Sequence, residues 1–326
     1  MKRPLVFGLA AVAVGVLVFF VLFEVALRIA FYRSMDFDIE MWKYADSIKQ
    51  VAADPAVGHE HAPGTQAFLM GADVKINSLK LREKEYAHSK PAGVERILML
   101  GDSLTFGWGV PFEKTTSKLL ETLLNEDGGA LQVINAGVGN YNSSQEVDYF
   151  LIEGYRYAPD VVVLNYFIND AEPTPTRKSH PLLGWSYAYV YLKGRLDILG
   201  REAFGGKSWA DYYLGLYAPG QPGWARAAES IEKLAAYCRK NNIPLIIANY
   251  PELHDFKNYL FTGVGTQIKT IAQRVGANFI DLLGAVAGQT EPTLWVSPSD
   301  PHPNGHANKF FAEALLPAVR KAETGR

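Results

Sequence analysis

The stretch RILMLGDSLTFGWGV, from Arg96 to Val110, decides the fold of this chain. Residues 96–100 form an apolar run typical of a strand buried on both faces of a sheet. The chain then turns through a Gly-Asp-Ser sequence that ends at Ser103. In open α/β sheets, ligands bind at the carboxyl ends of the strands, and Ser103 is predicted to lie at such an end. Ser103 is therefore a candidate nucleophile, with a purely structural turn residue as the alternative.

The composition is that of a globular protein. The chain has 326 residues, of which 48% are hydrophobic and 20% charged, a length that suits one α/β domain with appendages or two domains. The net charge is −2, and no basic block is present, which argues against a nucleic-acid partner. The single cysteine, Cys238, excludes an intrachain disulfide, and we interpret it as a small core residue.

The N-terminus departs from this composition. The segment from Pro4 to Phe23 carries no charge and, at 1.5 Å per residue, is long enough to cross a hydrocarbon core of about 30 Å. Lys2 and Arg3 precede it, which favours a cytoplasmic N-terminus. No convincing small-residue cleavage site follows, so an uncleaved anchor is favoured over a secretory signal peptide. We therefore predict that residues 1–30 are a single-pass anchor in the inner (cytoplasmic) membrane, with the rest of the chain periplasmic or extracellular.

Strands alternate with amphipathic helices from residue 93 onward. The predicted strands are short and rich in Val, Ile and Leu: Arg96–Leu100, Gln132–Asn135, Asp160–Asn165, Ile243–Asn249 and Asn278–Asp281. The predicted helices place apolar residues on one face: Glu113–Asn125, Ser144–Tyr157, Trp224–Asn241, Gln267–Val275 and Asn308–Lys321. This alternation predicts a three-layer α/β/α sandwich around a mainly parallel five-stranded sheet, formed by residues 93–326.

Two segments stand apart from the alternation. Residues 31–92 are irregular and contain several prolines, and we interpret them as a linker or a cap that lies on the domain. Residues 172–223 form an insertion after the third strand that is rich in Trp and Tyr. Long insertions at strand ends often carry binding function, and aromatic rings there can stack on sugars or line an acyl pocket. For any single ring, packing of the insertion onto the domain is the alternative.

Further polar groups fall close to a strand end and to the end of the chain. Asn169 follows the third strand in LNYFINDAEP, and Asp300 and His302 lie in SPSDPHPNGH. A serine, a histidine and an acid together form an acyl-transfer set, because the histidine takes the hydroxyl proton while the carboxylate holds the imidazole. We expect these groups to meet at one end of a compact three-layer domain.

Four sequence blocks resemble those of the GDSL, or SGNH, hydrolase superfamily. GDSLTFG resembles its first block, INAGVGNYNSSQE its second, FIND its third and DPHPN its last, in the order that the family shows. Upstream, INSLKLREKEY resembles a segment that often precedes the domain in membrane-anchored bacterial members. The resemblance extends from about Arg96 to the C-terminal helix. It implies the SGNH-hydrolase type of three-layer fold and an ester hydrolase activity.

The resemblance implies a role for each matching position. Ser103 matches the nucleophile and His302 the general base. The family's acid often stands three residues before the histidine, where this chain has Ser299, but the Asp-x-His spacing also occurs. We therefore assign the orienting acid to Asp300.

The resemblance also implies an oxyanion hole. The Asn169 side-chain amide and the Ser103 backbone N–H match two of its donors. The donor of the second block falls at Asn140 or at Gly139, which immediately precedes it. Only a backbone N–H is needed there, and asparagine is the non-glycine residue that best tolerates a positive φ.

Metal binding is the main alternative chemistry. Asp300, His302 and His306 could be ligands if the two histidines shared one face of a helix, but the intervening proline and glycine disfavour a helix there. The sequence HEH at residues 59–61 also suggests a metal, and we interpret it instead as solvated loop residues. The family pattern needs neither a metal nor a cofactor, and none is predicted.

These observations predict a serine-dependent ester hydrolase. It would act through an acyl-enzyme on O-acyl esters, foremost O-acetyl esters, of envelope glycans or lipids. If an acceptor hydroxyl takes the place of water, the same site is that of an O-acyltransferase. A catalytically silent glycan-binding or scaffold subunit of an envelope assembly is the non-enzymatic alternative. The expected partners are thus an acylated glycan or lipid and, through the N-terminal helix, the membrane; the aromatic insertion favours a glycan.

Overall fold

A computed structural model of the chain describes residues 3–33, 35–174, 184–203 and 208–324. The helices in these ranges are α1 (Arg3–Ala30), α2 (Phe37–Ser47), α3 (Ser103–Phe106), α4 (Thr116–Leu124), α5 (Ser143–Ile152), α6 (Tyr187–Ala203), α7 (Trp209–Leu216), α8 (Pro222–Lys240), α9 (Thr262–Val275), α10 (Leu283–Val286) and α11 (Gly305–Thr324). The strands are β1 (Lys49–Val51), β2 (His59–His61), β3 (Gln66–Leu69), β4 (Ala72–Lys75), β5 (Glu95–Gly101), β6 (Leu131–Gly137), β7 (Val161–Tyr166), β8 (Leu245–Asn249), β9 (Asn278–Asp281), β10 (Trp295–Ser297) and β11 (Asp300–Pro303).

The central sheet has five parallel strands in the order β6-β5-β7-β8-β9. Strand β5 lies between β6 and β7, with Met99 opposite Asn135 on one side and Val163 on the other. Each strand of this sheet falls within two residues of its predicted position. The sheet order changes direction at β5, which is where open α/β sheets form a crevice for ligands.

Helices cover both faces of this sheet. Leu98 and Leu100 of β5 point into one core, which they share with residues of α5, α8 and α9. Ile97 and Met99 point the opposite way, into a second core formed with α4 and α11. This alternation follows from the two-residue period of a strand. The predicted three-layer α/β/α sandwich is thus confirmed.

Two helix ends differ most from their predicted positions: the end of α5, at Ile152 rather than Tyr157, and the start of α9. This helix begins at Thr262, whereas the apolar pattern indicated Gln267. Two glycines in the first turn weaken that pattern. A Cβ atom at Gly265 would lie 3.2 Å from Asn249 Nδ2, so this face of the helix packs closely on the end of β8.

Residues 31–92 are more regular than their sequence suggests. They form α2, the hairpin β1–β2 and the hairpin β3–β4. Tyr44 and Ile76 of this segment are fully buried and pack in one cluster with Phe106 and Trp108, which follow Ser103 in sequence. The segment, hereafter the cap, therefore lies directly against the loop that carries Ser103.

The aromatic insertion contains α6 and α7, while its residues 175–183 and 204–207 lie outside the described ranges. Its rings divide between packing and exposure. Tyr217 is buried, and its hydroxyl donates to the carbonyl of Ile168 at 2.9 Å. Trp209 is 46% exposed.

Helix α1 is apolar and exposed along most of its length. By length and composition, Val6–Ala30 satisfies the requirement for a membrane span, which a signal sequence near the N-terminus satisfies equally. The last turns of α1 contact the insertion. The Glu24 carboxylate accepts the backbone N–H of Ala188 at 2.9 Å, and Arg28 donates to the carbonyl of Trp185 at 2.6 Å.

Candidate active site

Ser103 is the first residue of the short helix α3, directly beyond the carboxyl end of β5. Asp102 caps this helix, because its carboxylate accepts the backbone N–H of Leu104 at 2.9 Å. Gly101 has a φ of 157°, and a side chain at this position would overlap Thr105. The glycine therefore permits the sharp turn that points Ser103 away from the strand.

Ser103, His302 and Asp300 lie in one hydrogen-bonded chain. Ser103 Oγ is 2.9 Å from His302 Nε2, and His302 Nδ1 is 2.6 Å from Asp300 Oδ1. The carboxylate also accepts the backbone N–H of His302 at 3.1 Å, which fixes the residue at two points. The hairpin β10–β11 supplies both the acid and the histidine.

Aromatic residues enclose this chain of groups. Trp108 Nε1 donates to Asp300 Oδ2 at 2.9 Å, so both oxygens of the buried carboxylate are satisfied. Phe37 of the cap stacks on the His302 ring, with the ring centres 6.2 Å apart. The cap thus covers the imidazole, which the sequence did not indicate.

The Asp300 carboxyl is held in its ionised form. Burial alone would raise its pKa, but the hydrogen bonds and positive charge of His302, together with the bond from Trp108, outweigh that effect. The pKa of Asp300 therefore lies below its usual value. An ionised carboxylate at Nδ1 fixes the tautomer that leaves Nε2 as a proton acceptor toward Ser103.

The loop after β6 carries the candidate donors of the second block. Asn140 has a φ of 65°, a left-handed conformation that asparagine tolerates better than other non-glycine residues. It lines the same cleft as Ser103. The backbone N–H of Gly139 instead donates to the Tyr44 hydroxyl at 2.9 Å. Because the Gly139 N–H is already bonded to Tyr44, the backbone N–H of Asn140 is the remaining candidate donor of this loop.

Lys49 and His59 of the cap contact this loop through hydrogen bonds. Lys49 Nζ lies 2.5 Å from the carbonyl of Gly139 and 2.9 Å from Asn140 Oδ1. His59 Nε2 lies 3.1 Å from the same carbonyl. Burial lowers the pKa of Lys49 to about 7.

The prediction that the histidines of residues 59–61 are solvated is wrong. His61 is buried, and its Nε2 lies 2.7 Å from the Tyr44 hydroxyl. Burial lowers its pKa to about 3 and that of His59 to about 4, so both rings are neutral at neutral pH. Residues 59–61 form strand β2. Three residues are too few for an alternation of buried and exposed side chains to predict a strand from sequence.

Asn169 lies in a short 3₁₀ turn, Ile168–Ala171, beyond the carboxyl end of β7. Its side-chain Nδ2 donates to Asp102 Oδ2 at 2.8 Å, which fixes the orientation of the amide. An amide nitrogen carries two protons, so the second remains for a ligand. Ser103, Asn140 and Asn169 all line one cleft.

Three buried carboxyl groups, those of Asp102, Glu146 and Asp170, lie close enough to affect one another's pKa. Burial raises the pKa of Asp102, in spite of the hydrogen bonds from Asn169 and Leu104. Burial and the neighbouring acid raise the pKa values of Glu146 and Asp170 well above their usual range. Within the described residues, neither carboxyl oxygen of Glu146 has a hydrogen-bond partner. Burial without a hydrogen-bond partner thus favours the protonated form of the Glu146 carboxyl.

The cleft has a volume of ≈ 720 Å³ and extends well beyond the three groups that could react. The cap contributes Phe37 and Met41 to its wall, the insertion contributes Trp209 and Tyr213, and the segment after β8 contributes His254. Sequence reasoning did not single out the last segment.

His306 does not join the site. It lies in the first turn of α11, is exposed, and packs against Phe310 with ring centres 4.7 Å apart. Among the residues that the structure describes, no group of three or more His, Cys, Asp or Glu side chains is arranged to hold a metal ion.

A serine hydroxyl bonded to an imidazole, which is itself bonded to a buried carboxylate, is the arrangement that serine hydrolases share across unrelated folds. Here it lies at the carboxyl edge of a three-layer α/β/α sandwich. Residues 99–310 match the sequence profile of the GDSL-like Lipase/Acylhydrolase family, and the chain belongs to this family. The resemblance inferred from the four sequence blocks is confirmed, and the chain is an acyl ester hydrolase by class.

Several solved structures are similar to this chain. The crystal structure of TesA shares 15% identity, with a TM-score of 0.49, over 70% of this chain and 99% of that one. Axe2, an acetylxylan esterase from Geobacillus stearothermophilus, shares 15% identity, with a TM-score of 0.46, over 69% and 94%. A two-domain esterase (CEX) active on acetylated mannans shares 17% identity, with a TM-score of 0.46, over 72% and 51%. A comparison with curated proteins gives no significant match.

Proposed function

We propose that this chain is a serine esterase that removes O-acyl groups, foremost O-acetyl groups, from glycans of the cell envelope. One observation carries the proposal: Ser103 Oγ lies 2.9 Å from His302 Nε2, and His302 Nδ1 lies 2.6 Å from the buried Asp300 carboxylate. This is the geometry that a nucleophile, a general base and an orienting acid require.

The reaction proceeds in two halves. His302 Nε2 takes the Ser103 proton as Oγ attacks the ester carbonyl, and it returns that proton to the leaving alcohol oxygen as the ester C–O bond breaks. The acyl group is then bonded to Oγ. In the second half, His302 takes a proton from water, whose oxygen attacks the acyl carbon. Oγ leaves with the proton, and the carboxylic acid is released. Asp300 stays ionised throughout and stabilises the imidazolium.

The negative oxygen of each tetrahedral intermediate is placed against three donors. They are the backbone N–H groups of Ser103 and Asn140 and the side-chain amide of Asn169. Loss of one such donor typically costs about 3–4 kcal/mol of transition-state stabilisation. Protonation of Glu146 favours this arrangement, because a further buried negative charge that acts on Asp102 would oppose the oxyanion.

An O-acyltransferase is the second candidate, because an acceptor hydroxyl can take the place of water in the same site. A volume of ≈ 720 Å³ leaves room for an acceptor beside an acetyl group. In that reaction an acceptor hydroxyl replaces water in the second half, with His302 taking its proton. The aromatic wall of the cleft supports a glycan as the alcohol or acceptor, since flat apolar rings suit sugar rings.

The exposed α1 supports a membrane location for this activity. We place α1 in the inner membrane, with a cytoplasmic N-terminus and the cleft in the periplasm. The substrate is then an acylated glycan that lies within reach of the outer surface of that membrane.

The test is hydrolysis of p-nitrophenyl acetate by the detergent-solubilised full chain, compared with Ser103→Ala. We expect turnover that EDTA leaves intact and that the substitution removes. A screen of O-acetylated oligosaccharides and acylated lipids, each with and without acceptor saccharides, then separates hydrolysis from transfer. Equal rates for the wild-type chain and Ser103→Ala would refute the esterase and leave the silent scaffold.

A further inference from the structure

The cleft contains a second histidine held by an acid two residues before it. The Glu252 carboxylate accepts the backbone N–H of His254 at 3.0 Å, and its other oxygen is bonded to Nδ1 of the same ring. Asp300 holds His302 through the same two atoms of the histidine. Both histidines line one cleft. Nε2 of His302 lies against Ser103 Oγ, whereas Glu252 occupies only Nδ1 of His254 and leaves its Nε2 for a ligand.

The two residues of this second pair differ sharply in exposure. The Glu252 side chain is 6% exposed, whereas that of His254 is 47% exposed. The buried acid is thus committed to the histidine, while the imidazole faces the open cleft. The hydrogen bond that the His254 ring donates to the Glu252 carboxylate raises the pKa of His254. A buried acid that orients an exposed imidazole suits a polar ligand rather than an acyl chain, which offers imidazole no hydrogen-bonding group.

Trp209 of the insertion lies beside this histidine. Its ring centre is 5.2 Å from that of His254, 5.0 Å from that of Tyr213 and 5.7 Å from that of Phe261. The interplanar angles are 61°, 61° and 87°, so none of these rings stacks face to face on the indole. The neighbours therefore hold Trp209 in place while nearly half of it remains exposed.

We propose that Trp209 and His254 form a saccharide-binding subsite, in which a sugar ring packs on the indole and a sugar hydroxyl hydrogen-bonds to His254 Nε2. This inference rests on the proposed function and deepens it, because it names the part of the substrate that the cleft recognises. A hydroxyl both donates and accepts, so it can pair with the neutral and with the protonated imidazole.

The charge of the cleft indicates a neutral sugar. Glu172, Glu252 and Asp255 line it, and no lysine or arginine is among its described lining residues, so an anionic ligand would meet acidic groups without a cationic partner other than histidine. The subsite therefore fits an uncharged saccharide unit next to the acylated one.

Direct binding tests the subsite without any chemistry. The solubilised full chain with Ser103→Ala is titrated calorimetrically with mannotetraose, xylotetraose, cellotetraose and chitotetraose. We expect at least one to bind, and Trp209→Leu or His254→Ala in the same background to raise its Kd at least tenfold. His254→Gln, which keeps a hydrogen-bonding side chain, should recover part of the loss. The exposed His306→Ala is the matched control and should leave Kd unchanged.

Kinetics supply the second measurement. For O-acetylated forms of the oligosaccharide that binds, Trp209→Leu and His254→Ala should raise KM at least tenfold more than they do for p-nitrophenyl acetate. A merely structural role would lower both activities equally. Preferential loss of p-nitrophenyl laurate turnover would show that the site takes an acyl chain.

The outcomes separate this inference from the proposed function. Hydrolysis of p-nitrophenyl acetate without binding of any tetrasaccharide overturns the subsite and leaves the esterase. Binding that depends on Trp209, in a chain that hydrolyses no ester, preserves the subsite and overturns the esterase.

Discussion

Tyr44 of the cap accepts the backbone N–H of Gly139 at 2.9 Å, directly beneath the residue that supplies the proposed second oxyanion donor. The Tyr44 ring is fully buried, and its hydroxyl also contacts His61 Nε2. A side chain on Gly139 would overlap Tyr44. The close contact therefore fixes the position of the loop against the cap, in addition to the hydrogen bond. The cap therefore helps to shape the proposed oxyanion hole.

Removal of this hydroxyl tests the role of the cap. Tyr44→Phe leaves the ring but strips Gly139 of its acceptor, so we expect kcat on p-nitrophenyl acetate to fall about tenfold with little change in KM. A buried N–H without a partner should also lower the free energy of unfolding by about 1–3 kcal/mol. The exposed Tyr155→Phe is the control. An unchanged kcat would show that the loop keeps its conformation without Tyr44.

The nucleophile and base are tested by comparing two histidines. Ser103→Ala and His302→Ala should each lower kcat by about 10⁴–10⁶, because the two groups act as a unit. His306→Ala should leave kcat unchanged, since this side chain lies outside the cleft. The measurement is initial-rate kinetics on variants with wild-type circular dichroism. If His306→Ala abolished turnover while His302→Ala retained it, the proposed mechanism would fall.

The oxyanion donors predict opposite results at two asparagines. Asn169→Ala should lower kcat by about 10²–10³, the effect of one lost donor. Asn140→Gly should stay within about threefold of the wild type, because glycine keeps the N–H and accepts a φ of 65°. Asn140→Val is the contrasting variant, since a β-branched residue resists that conformation. A severe loss in Asn140→Gly would instead assign the role to its side chain.

Glu146 should make stability depend on pH. Its folded-state pKa is raised, so the folded chain holds the proton more tightly than the unfolded chain. Stability is then complete below the unfolded pKa and is lost as pH rises toward the folded one. Glu146→Gln abolishes this titration, so its stability advantage over the wild type should be larger at pH 8 than at pH 5.

Urea unfolding at pH 5 and pH 8 measures that difference. The exposed Glu126→Gln serves as the control and should give no pH-dependent change. A stability difference that is the same at both pH values would contradict a buried, protonated Glu146.

The membrane location predicts an intact N-terminus. Because Lys2 and Arg3 precede an uncharged span, the full chain should sediment with membranes, and alkaline phosphatase fused after Arg326 should be active. A cytoplasmic reporter fused at the same position serves as the reverse control. A mature N-terminus near residue 30 would identify α1 as a cleaved signal sequence.

The sheet and its flanking helices were predictable because their signals are local. Strands such as β5 and β7 are continuous apolar runs, and α4 and α8 carry one apolar face. The positions of Ser103 and Asn169 followed from their place after such strands. The residue types already indicated Asp300 and His302 as members of an acyl-transfer set, but the choice of Asp300 as the orienting acid needed the resemblance to a family, since their hairpin has no periodic signal.

The rest of the site depends on contacts between distant parts of the chain. Tyr44 meets Gly139 across 95 positions, and no local pattern marks either residue. The buried state of Glu146 is hidden in an ordinary amphipathic helix, where an acid is normally solvated. The Glu252–His254 pair carries no sequence signal either. Its role is evident only from the cleft that it shares with His302.

The bonds from Glu24 and Arg28 to the start of the insertion have a mechanical consequence. A domain on a flexible tether sweeps a wide volume, whereas these contacts fasten the end of α1 to the start of α6, next to Gly184, whose carbonyl accepts the indole N–H of Trp42 in the cap. With α1 in a membrane, the cleft keeps a constant standoff and orientation relative to the lipid surface. The enzyme would then reach only glycan that lies at a fixed distance from the membrane. Lengthening the chain between α1 and α2, without any change to the cleft, would alter that distance.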